Sequence, residues 1–439
     1  MKVLKFGGTS VGTAQRMKDV AKLINDGEKK IVVLSAMSGT TNTLVEISDY
    51  FYKKNADGAN EIINQLANKY RKHVEELYDT EEYKNITKDF LREEIEYLHG
   101  FSKDLFTMYE ERVILAQGEI ISTNMMTNYL KEQGVNVVLL DALQFMRTDK
   151  NSEPDPVFIR QELKKLLEAN PDADIYITQG FICRNAYGEI DNLERGGSDY
   201  TASLIGAAVL AEEIQIWTDI DGMHNNDPRF VDFTEPVRQL HFEEAAELAY
   251  FGAKILHPTC VQPAKYAGIP VRLLNTMEPT APGTTISNET ERGKIKAVAA
   301  KDNITAIKIK SSRMLLAHGF LSKVFDIFEQ YQTSIDMVST SEVGVSMSID
   351  NTKHLNDILN ELKKYGTVTV DYDMCIICVV GDLTWDNVGF ETLATKAMTN
   401  IPVRMISYGG SNYNISFLVK KEDKKRALQA LTDTLFKKK

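Results

Sequence analysis

Short apolar runs that stop at glycine and hydroxyl residues, separated by segments of helical period, constrain this chain most. Lys2 to Phe6 (KVLKF) reads as a strand and runs into Gly7-Gly8, with a helical stretch near Ala14 to Asp26. Ile31 to Ala36 (IVVLSA) is a second apolar strand, ended by Ser38-Gly39-Thr40-Thr41-Asn42. Val135 to Leu140, Ile175 to Thr178 and Ile214 to Thr218 are further buried strands. Strands alternating with helices argue for a largely parallel α/β sheet. Residues 55–100 are charged and helical in period, which suits a solvated helical insertion or a cover over a site. From Met108 to Leu130, the residues Val113, Ala116, Ile120, Met125 and Leu130 recur at helical spacing.

A Pro/Gly/Thr cluster at Pro279 to Thr285 is expected to end this pattern. Beyond it, Ile304 to Lys310 alternates like a strand, and Phe320 to Tyr331 is an amphipathic helix with Leu321, Val324, Phe325 and Phe328 on its apolar face. Ser334 to Val338 and Val343 to Ile349 alternate again, and His354 to Tyr365 is helical. A similar order recurs from Ile376 to the end, with strands at Val403 to Ser407 and Asn414 to Val419. The expected division of the 439 residues is one α/β domain over 1–290 and two small βαββαβ units over 300–375 and 376–439. Strand 300–310 would complete the second unit if the first is inserted within it.

Charge and cysteine usage exclude several functions. Lys plus Arg number 51 and Asp plus Glu 62, a net charge of −11. Binding to a phosphate backbone needs clustered cations, so neither nucleic acid nor an anionic membrane surface is an expected partner. No stretch reaches the roughly 18 apolar residues of a membrane span, and no apolar signal segment opens the chain. The expected place is the cytoplasm. Four Cys are too few for a disulfide framework. Cys375 and Cys378 form a C-x-x-C inside an apolar strand pattern, where residues three apart face opposite sides, so core packing is the expected use.

Four motifs carry chemistry. Lys5-Phe6-Gly7-Gly8-Thr9-Ser10 places a glycine pair after a strand, where backbone N–H groups can approach an anion, with a lysine beside them. It is not a Walker A sequence. Arg195-Gly196-Gly197-Ser198-Asp199 opens an apolar helix; Ser198 or Asp199 can cap it, and the same group can hold an anion. Trp217-Thr218-Asp219-Ile220-Asp221-Gly222, followed by Asn226-Asp227-Pro228-Arg229, is a polar strand end and loop. Phe251-Gly252-Ala253-Lys254 precedes an apolar pair and a proline stop, where a snorkelling lysine is also expected.

Taken together and in order, KFGGTS at 5–10, ERGGSDYTA, WTDIDG with DPR, and FGAKILHP resemble the aspartokinases, enzymes of the amino-acid kinase fold. The resemblance covers essentially the whole chain. Residues 313–350 look like the regulatory ACT unit of the lysine-sensitive, single-function type. The implied fold is a mainly parallel sheet between helices followed by two ferredoxin-like ACT units. The implied reaction is phosphoryl transfer from ATP with Mg²⁺ to the side-chain carboxylate of L-aspartate, giving 4-phospho-L-aspartate. That carboxylate, with a free pKa of about 3.9, is already ionised at pH 7, so no general base is needed. The obstacle is repulsion between two anions, which placed cations and backbone donors must offset.

The resemblance assigns roles residue by residue. Lys5, with the Gly7 and Gly8 amides, would neutralise the transferring group, and Asp199 would orient Lys5. Arg195 would clamp a substrate carboxylate, and Glu119 would receive the substrate ammonium. Ser38, Thr40, Thr41, Gly196, Gly197 and Ser198 would complete the substrate site. Thr218, Asp219, His224, Arg229 and Lys254 would hold ATP. No protein ligand for the metal is assigned. Met314, Phe320, Leu321, Ser334, Ile335, Asp336 and Ser341 would form an effector site, with the Asp336 carboxylate taking a lysine ε-ammonium. A homodimer through the ACT units, or a tetramer, is implied. Two alternatives stay open: a kinase for another acidic amino acid, and a non-catalytic amino-acid sensor.

Overall fold

The computed structural model describes residues 1–101, 105–193, 196–252, 257–311 and 319–437. The chain forms two compact units, Met1–Met223 with Leu256–Asn288, and His224–Ile255 with Glu289–Lys439.

In the first unit, strands lie in the order Thr284–Ser287, Val271–Asn275, Ile214–Thr218, Lys2–Phe6, Lys30–Leu34, Ile175–Gln179 and Val137–Leu140. Their pairings are parallel except that of Val271–Asn275 with Thr284–Ser287. Every residue of Lys30–Leu34 is buried, as expected of a central parallel strand covered on both faces. The cluster at 279–285 therefore does not end the α/β pattern. The chain folds back there and adds an antiparallel strand. Gly283 makes this possible: its φ is +66°, and a Cβ there would lie 2.0 Å from Leu273 O.

The charged stretch forms two helices, Ala56–Leu77 and Glu81–Gly100. They are more than a solvated insertion. Ile63, Leu66, Tyr70, Val74 and Leu77 recur at helical spacing and join the same core as Phe6, Leu34 and Met125. The helix Met108–Glu132 starts with a capping box between Thr107 and Glu110 and is buried along its middle.

In the second unit, the sheet order is Met337–Ser341, Gly344–Ile349, Ile295–Lys310, Thr367–Gly381, Asn414–Lys420 and Met405–Tyr408. The two long central strands are shared between two cores. Ile304–Lys310 pairs with the first part of Thr367–Gly381 and with Gly344–Ile349, whereas Ile295–Lys301 pairs with the last part, Ile376–Gly381. Helices Phe320–Gln330 and Leu355–Lys363 fill the first core. Phe390–Ala397 and Lys424–Leu435 fill the second. Cys375 and Cys378 are fully buried in the strand Thr367–Gly381, and burial pushes the Cys375 thiol up to about 12. Among the described residues no helix is long and apolar enough to cross a membrane.

Candidate active site

Three parallel strands of the first unit bring their carboxyl ends side by side. Phe6 pairs with Leu34, and Leu34 with Gln179. The loops that follow them, together with the start of helix Gly197–Val209, surround a cavity of about 310 Å³. Gly8, Ser35, Ser38, Thr41, Glu119 and Ser198 are among its walls. This is where parallel sheets hold ligands, because strand-to-helix loops gather at one edge.

Lys5 projects from the central strand, and its Nζ lies 2.7 Å from Asp199 Oδ1, with both side chains largely buried. Asp199 sits in the first turn of helix Gly197–Val209, where the helix's unpaired N–H groups favour negative charge. The expected side-chain cap is absent. Gly196 occupies the N-cap position in a left-handed conformation, with φ of 71° and no side-chain cap bond. Asp199 is thereby available to Lys5, and the Ser198 hydroxyl accepts a hydrogen bond from that of Ser35 at 2.9 Å. Gly196 has no alternative: a Cβ there would lie 1.7 Å from Cys260 Sγ.

Glu119 comes from the buried middle of helix Met108–Glu132 and is only 4% exposed. One carboxylate oxygen accepts the Ala36 N–H at 3.1 Å, and the other is buried with no hydrogen-bond partner among the described residues. Burial pushes its pKa up to about 8, against the opposing pull of the Ala36 N–H and Lys5. A carboxylate oxygen so placed could accept a hydrogen bond from a cationic group, whose charge would favour the ionised form.

The other expected residues fall in several places. Thr41, Gly197 and Ser198 line the cavity. Thr40 is buried, and its hydroxyl bonds Tyr70 OH at 3.0 Å. The Gly7 N–H faces Trp217 O at 3.4 Å. Thr218 ends the strand Ile214–Thr218, and its hydroxyl accepts the Ile220 N–H at 3.2 Å; Asp219 follows it, exposed. Arg195, Lys254 and Met314 lie outside the described residues. In the second unit, His224 Nδ1 contacts Thr234 Oγ1 at 3.1 Å. Arg229 is exposed and paired with Asp227 at 2.6 Å, which holds the Asp227 carboxyl below its usual range. The Asp336 side chain is buried, with one oxygen unpartnered among the described residues. Ile335 packs against the first core of that unit, and Phe320 belongs to it. Leu321 and Ser334 are exposed, and the Ser341 hydroxyl reaches Gly344 O at 3.4 Å.

Sequence reasoning missed the Ala36 N–H, Ser35 and Phe181. Phe181 lines the cavity with φ of 68°, and its N–H bonds Thr201 Oγ1 at 2.9 Å. The available signal was its place directly after a buried strand and Gly180. Among the described residues no group of three or more His, Cys, Asp or Glu is arranged to hold a metal ion. A divalent cation carried on phosphates needs only one or two carboxylates from a protein.

Residues 1–275 match the model of the amino acid kinase family, and residues 377–435 match that of the ACT domain. Aspartokinase 1, chloroplastic, of Arabidopsis thaliana is 35% identical, covering 99% of this chain and 80% of its own. Lysine-sensitive aspartokinase 3 of Escherichia coli (strain K12) is 34% identical over 99% of both chains. The crystal structure of E. coli aspartokinase III in complex with aspartate and ADP (R-state) aligns with a TM-score of 0.82 at 31% identity, covering 100% of each chain.

Proposed function

The chain belongs to the aspartokinases of the amino acid kinase family, and from that premise we propose that the cavity beside Lys5 binds L-aspartate for phosphorylation by ATP. The activity is that of an aspartate kinase. The observation that carries the site reading is the Glu119 oxygen left without a hydrogen-bond partner among the described residues, in a cavity also lined by Gly8 from the loop that follows the Lys5 strand.

The reaction is a displacement at phosphorus. A side-chain carboxylate oxygen of aspartate forms a bond to the γ-phosphorus, the bond to the β,γ-bridging oxygen breaks, and ADP leaves with that electron pair. No proton need be removed from the nucleophile. The protein's task is to bring two anions together. Lys5, held by Asp199, supplies positive charge against the transferring group, and Glu119 receives the substrate ammonium. Arg195 is assigned to a substrate carboxylate, where a guanidinium can bind in bidentate fashion. Gly8, Ser38, Thr41, Gly197 and Ser198 complete the cavity wall, and Thr40 supports it from behind. Thr218, Asp219, His224, Arg229 and Lys254 are assigned to ATP. Mg²⁺, if carried on the nucleotide phosphates, would supply positive charge against them, and no residue of the chain is assigned to hold it.

Lysine is assigned as the feedback effector, acting at the second unit. The support is the buried Asp336 oxygen that has no partner among the described residues and can accept an ammonium. Residues 1–290 are taken as the catalytic domain and 300–375 and 376–439 as the ACT units. The exposed edge strand Met337–Ser341 suits a homodimer through these units. Four free thiols suit a reducing cytoplasm.

A hydroxamate assay over L-aspartate, L-glutamate and N-acetyl-L-glutamate with MgATP tests the reaction. Product is expected with aspartate, and with lysine present it should fall. Product with glutamate instead would overturn the substrate, and no response to lysine would overturn the effector.

A further inference from the structure

The helix Ala56–Leu77 does more than cover the core. One and a half turns of it grip two of the loops at the cavity. Lys69 Nζ donates to Ser38 O at 2.9 Å, and Tyr70 OH bonds Thr40 Oγ1 at 3.0 Å. His73 faces Gly12 O with Nε2 at 3.4 Å, while its Nδ1 faces Lys69 O at 2.8 Å. The two gripped loops also meet each other, since the Ser38 N–H donates to Gly8 O at 3.1 Å.

Tyr70 and His73 spend their polar atoms on these contacts. Lys69 does not. A lysine ammonium has three N–H donors, and the Ser38 carbonyl takes one. Among the described residues no carboxylate pairs with Lys69, and half-burial alone lowers its pKa. Its Nζ lies 3.9 Å from where a Cβ on Gly39 would sit, and Gly39 is part of the cavity wall. A half-buried cation without a counter-ion, fixed at the rim of a site for a dicarboxylate, lacks its anion until substrate arrives.

We propose that Lys69 is a positioning and specificity residue for the acceptor: it holds the Ser38–Thr41 turn in place and offers its remaining donors to a carboxylate of the substrate. The proposal rests on the aspartate reading of the cavity. It gives the helical insertion a direct part in acceptor recognition, separate from Lys5, which faces the transferring group.

The test compares wild type, Lys69→Met and Lys69→Arg in steady-state kinetics, with L-aspartate and MgATP varied in turn and melting temperature checked for each. Lys69→Met is expected to raise the KM for aspartate at least tenfold and to leave the KM for MgATP within twofold. Lys69→Arg is expected to restore most of the loss, because it keeps the cation and a donor to Ser38 O. An unchanged aspartate KM in Lys69→Met overturns the proposal. So does an equal rise in both KM values, which marks a general loosening of the loops. If Lys69→Met fails to fold, an aspartate KM in Lys69→Arg equal to wild type supports the proposal and a fivefold rise with the fold intact overturns it. A wild-type chain that phosphorylates no aspartate overturns the aspartate reading, and this proposal with it.

Discussion

Lys301 holds Asp336 from within the second unit, its ammonium 2.7 Å from Asp336 Oδ1 and 2.9 Å from Asp350 Oδ2. Tyr250 OH donates to the same Asp336 oxygen at 2.9 Å, and the Lys301 ammonium lies 4.2 Å above the Tyr250 ring. The carboxylate assigned to an effector's ammonium thus already carries an internal one on one oxygen, and leaves the other unpartnered among the described residues. Burial alone would lower the Lys301 pKa, but hydrogen bonds to Asp336 and Asp350 outweigh it and raise it to about 12.

Removing that internal partner strands a buried charge. Lys301→Met is expected to destabilise the chain by about 3–5 kcal/mol, read as a drop in urea midpoint. Adding Asp336→Asn should return much of the loss, since no uncompensated charge then remains. The raised Lys301 pKa means its contribution is fully present below the unfolded value and fades only as pH rises through about 12. Burial already raises the Asp336 pKa while Lys301 lowers it, so without Lys301 the carboxyl is held protonated to higher pH, and the wild-type to Lys301→Met difference should widen as pH rises from 4 to 7. A difference that shrinks over that range would contradict the pairing.

Glu119 imposes a pH dependence on substrate binding. With its pKa raised to about 8, the carboxyl is mostly protonated at pH 6.5 and must lose a proton to receive the aspartate ammonium. The KM for aspartate is expected to fall roughly tenfold per pH unit from 6 to 7 and to level off above 8. Glu119→Gln should raise the KM and flatten this limb. Linkage has the opposite sense for stability. A raised carboxyl pKa contributes stability present below the unfolded pKa and lost as pH rises through the folded one. Melting of Glu119→Gln relative to wild type should therefore improve between pH 6 and 9.

The Lys5–Asp199 pair should separate catalysis from binding. Lys5→Met is expected to lower kcat by about 100- to 1000-fold or more, the scale of losing one preorganised charge in a site. Asp199→Asn should lower kcat by a smaller factor, because Lys5 keeps its charge but loses its anchor. Isothermal titration with aspartate alone should still detect binding in both variants. Loss of aspartate binding with kcat intact in Asp199→Asn would refute the assigned roles.

Gly196 admits no side chain, for two separable reasons. Gly196→Ala places a Cβ 1.7 Å from Cys260 Sγ and also forces a left-handed backbone on an alanine. The single variant is expected to lose nearly all activity. Cys260→Ala should relieve that contact and leave the backbone cost, about 1–2 kcal/mol, with a close 3.2 Å approach to His257 Cβ, so the double variant should recover folded protein by melting assay.

Much of the architecture is legible in adjacent residues. Lys2–Phe6 and Ile214–Thr218 emerge as strands where the apolar runs place them, and Met108–Glu132 is the long helix its spacing requires. The burial of Cys375 and Cys378 likewise follows from their apolar strand context. These features depend on period and composition over a few residues, which a chain carries whatever it packs against. The strand Thr284–Ser287 was not legible, because proline and glycine mark a turn without saying whether a sheet continues beyond it.

The site divides along the same line. The sequence by itself determined that glycine and hydroxyl residues follow buried strands, and that a lysine, an aspartate and a glutamate of the right types accompany them. The tertiary structure alone decided that one Glu119 oxygen has no partner among the described residues, that Lys301 reaches Asp336, and that Lys69 meets Ser38 from a helix of the insertion. Chemical type resides in the residue. Ionisation and pairing depend on what the rest of the chain packs around it, since burial and partner charges from distant segments set the cost of every charge.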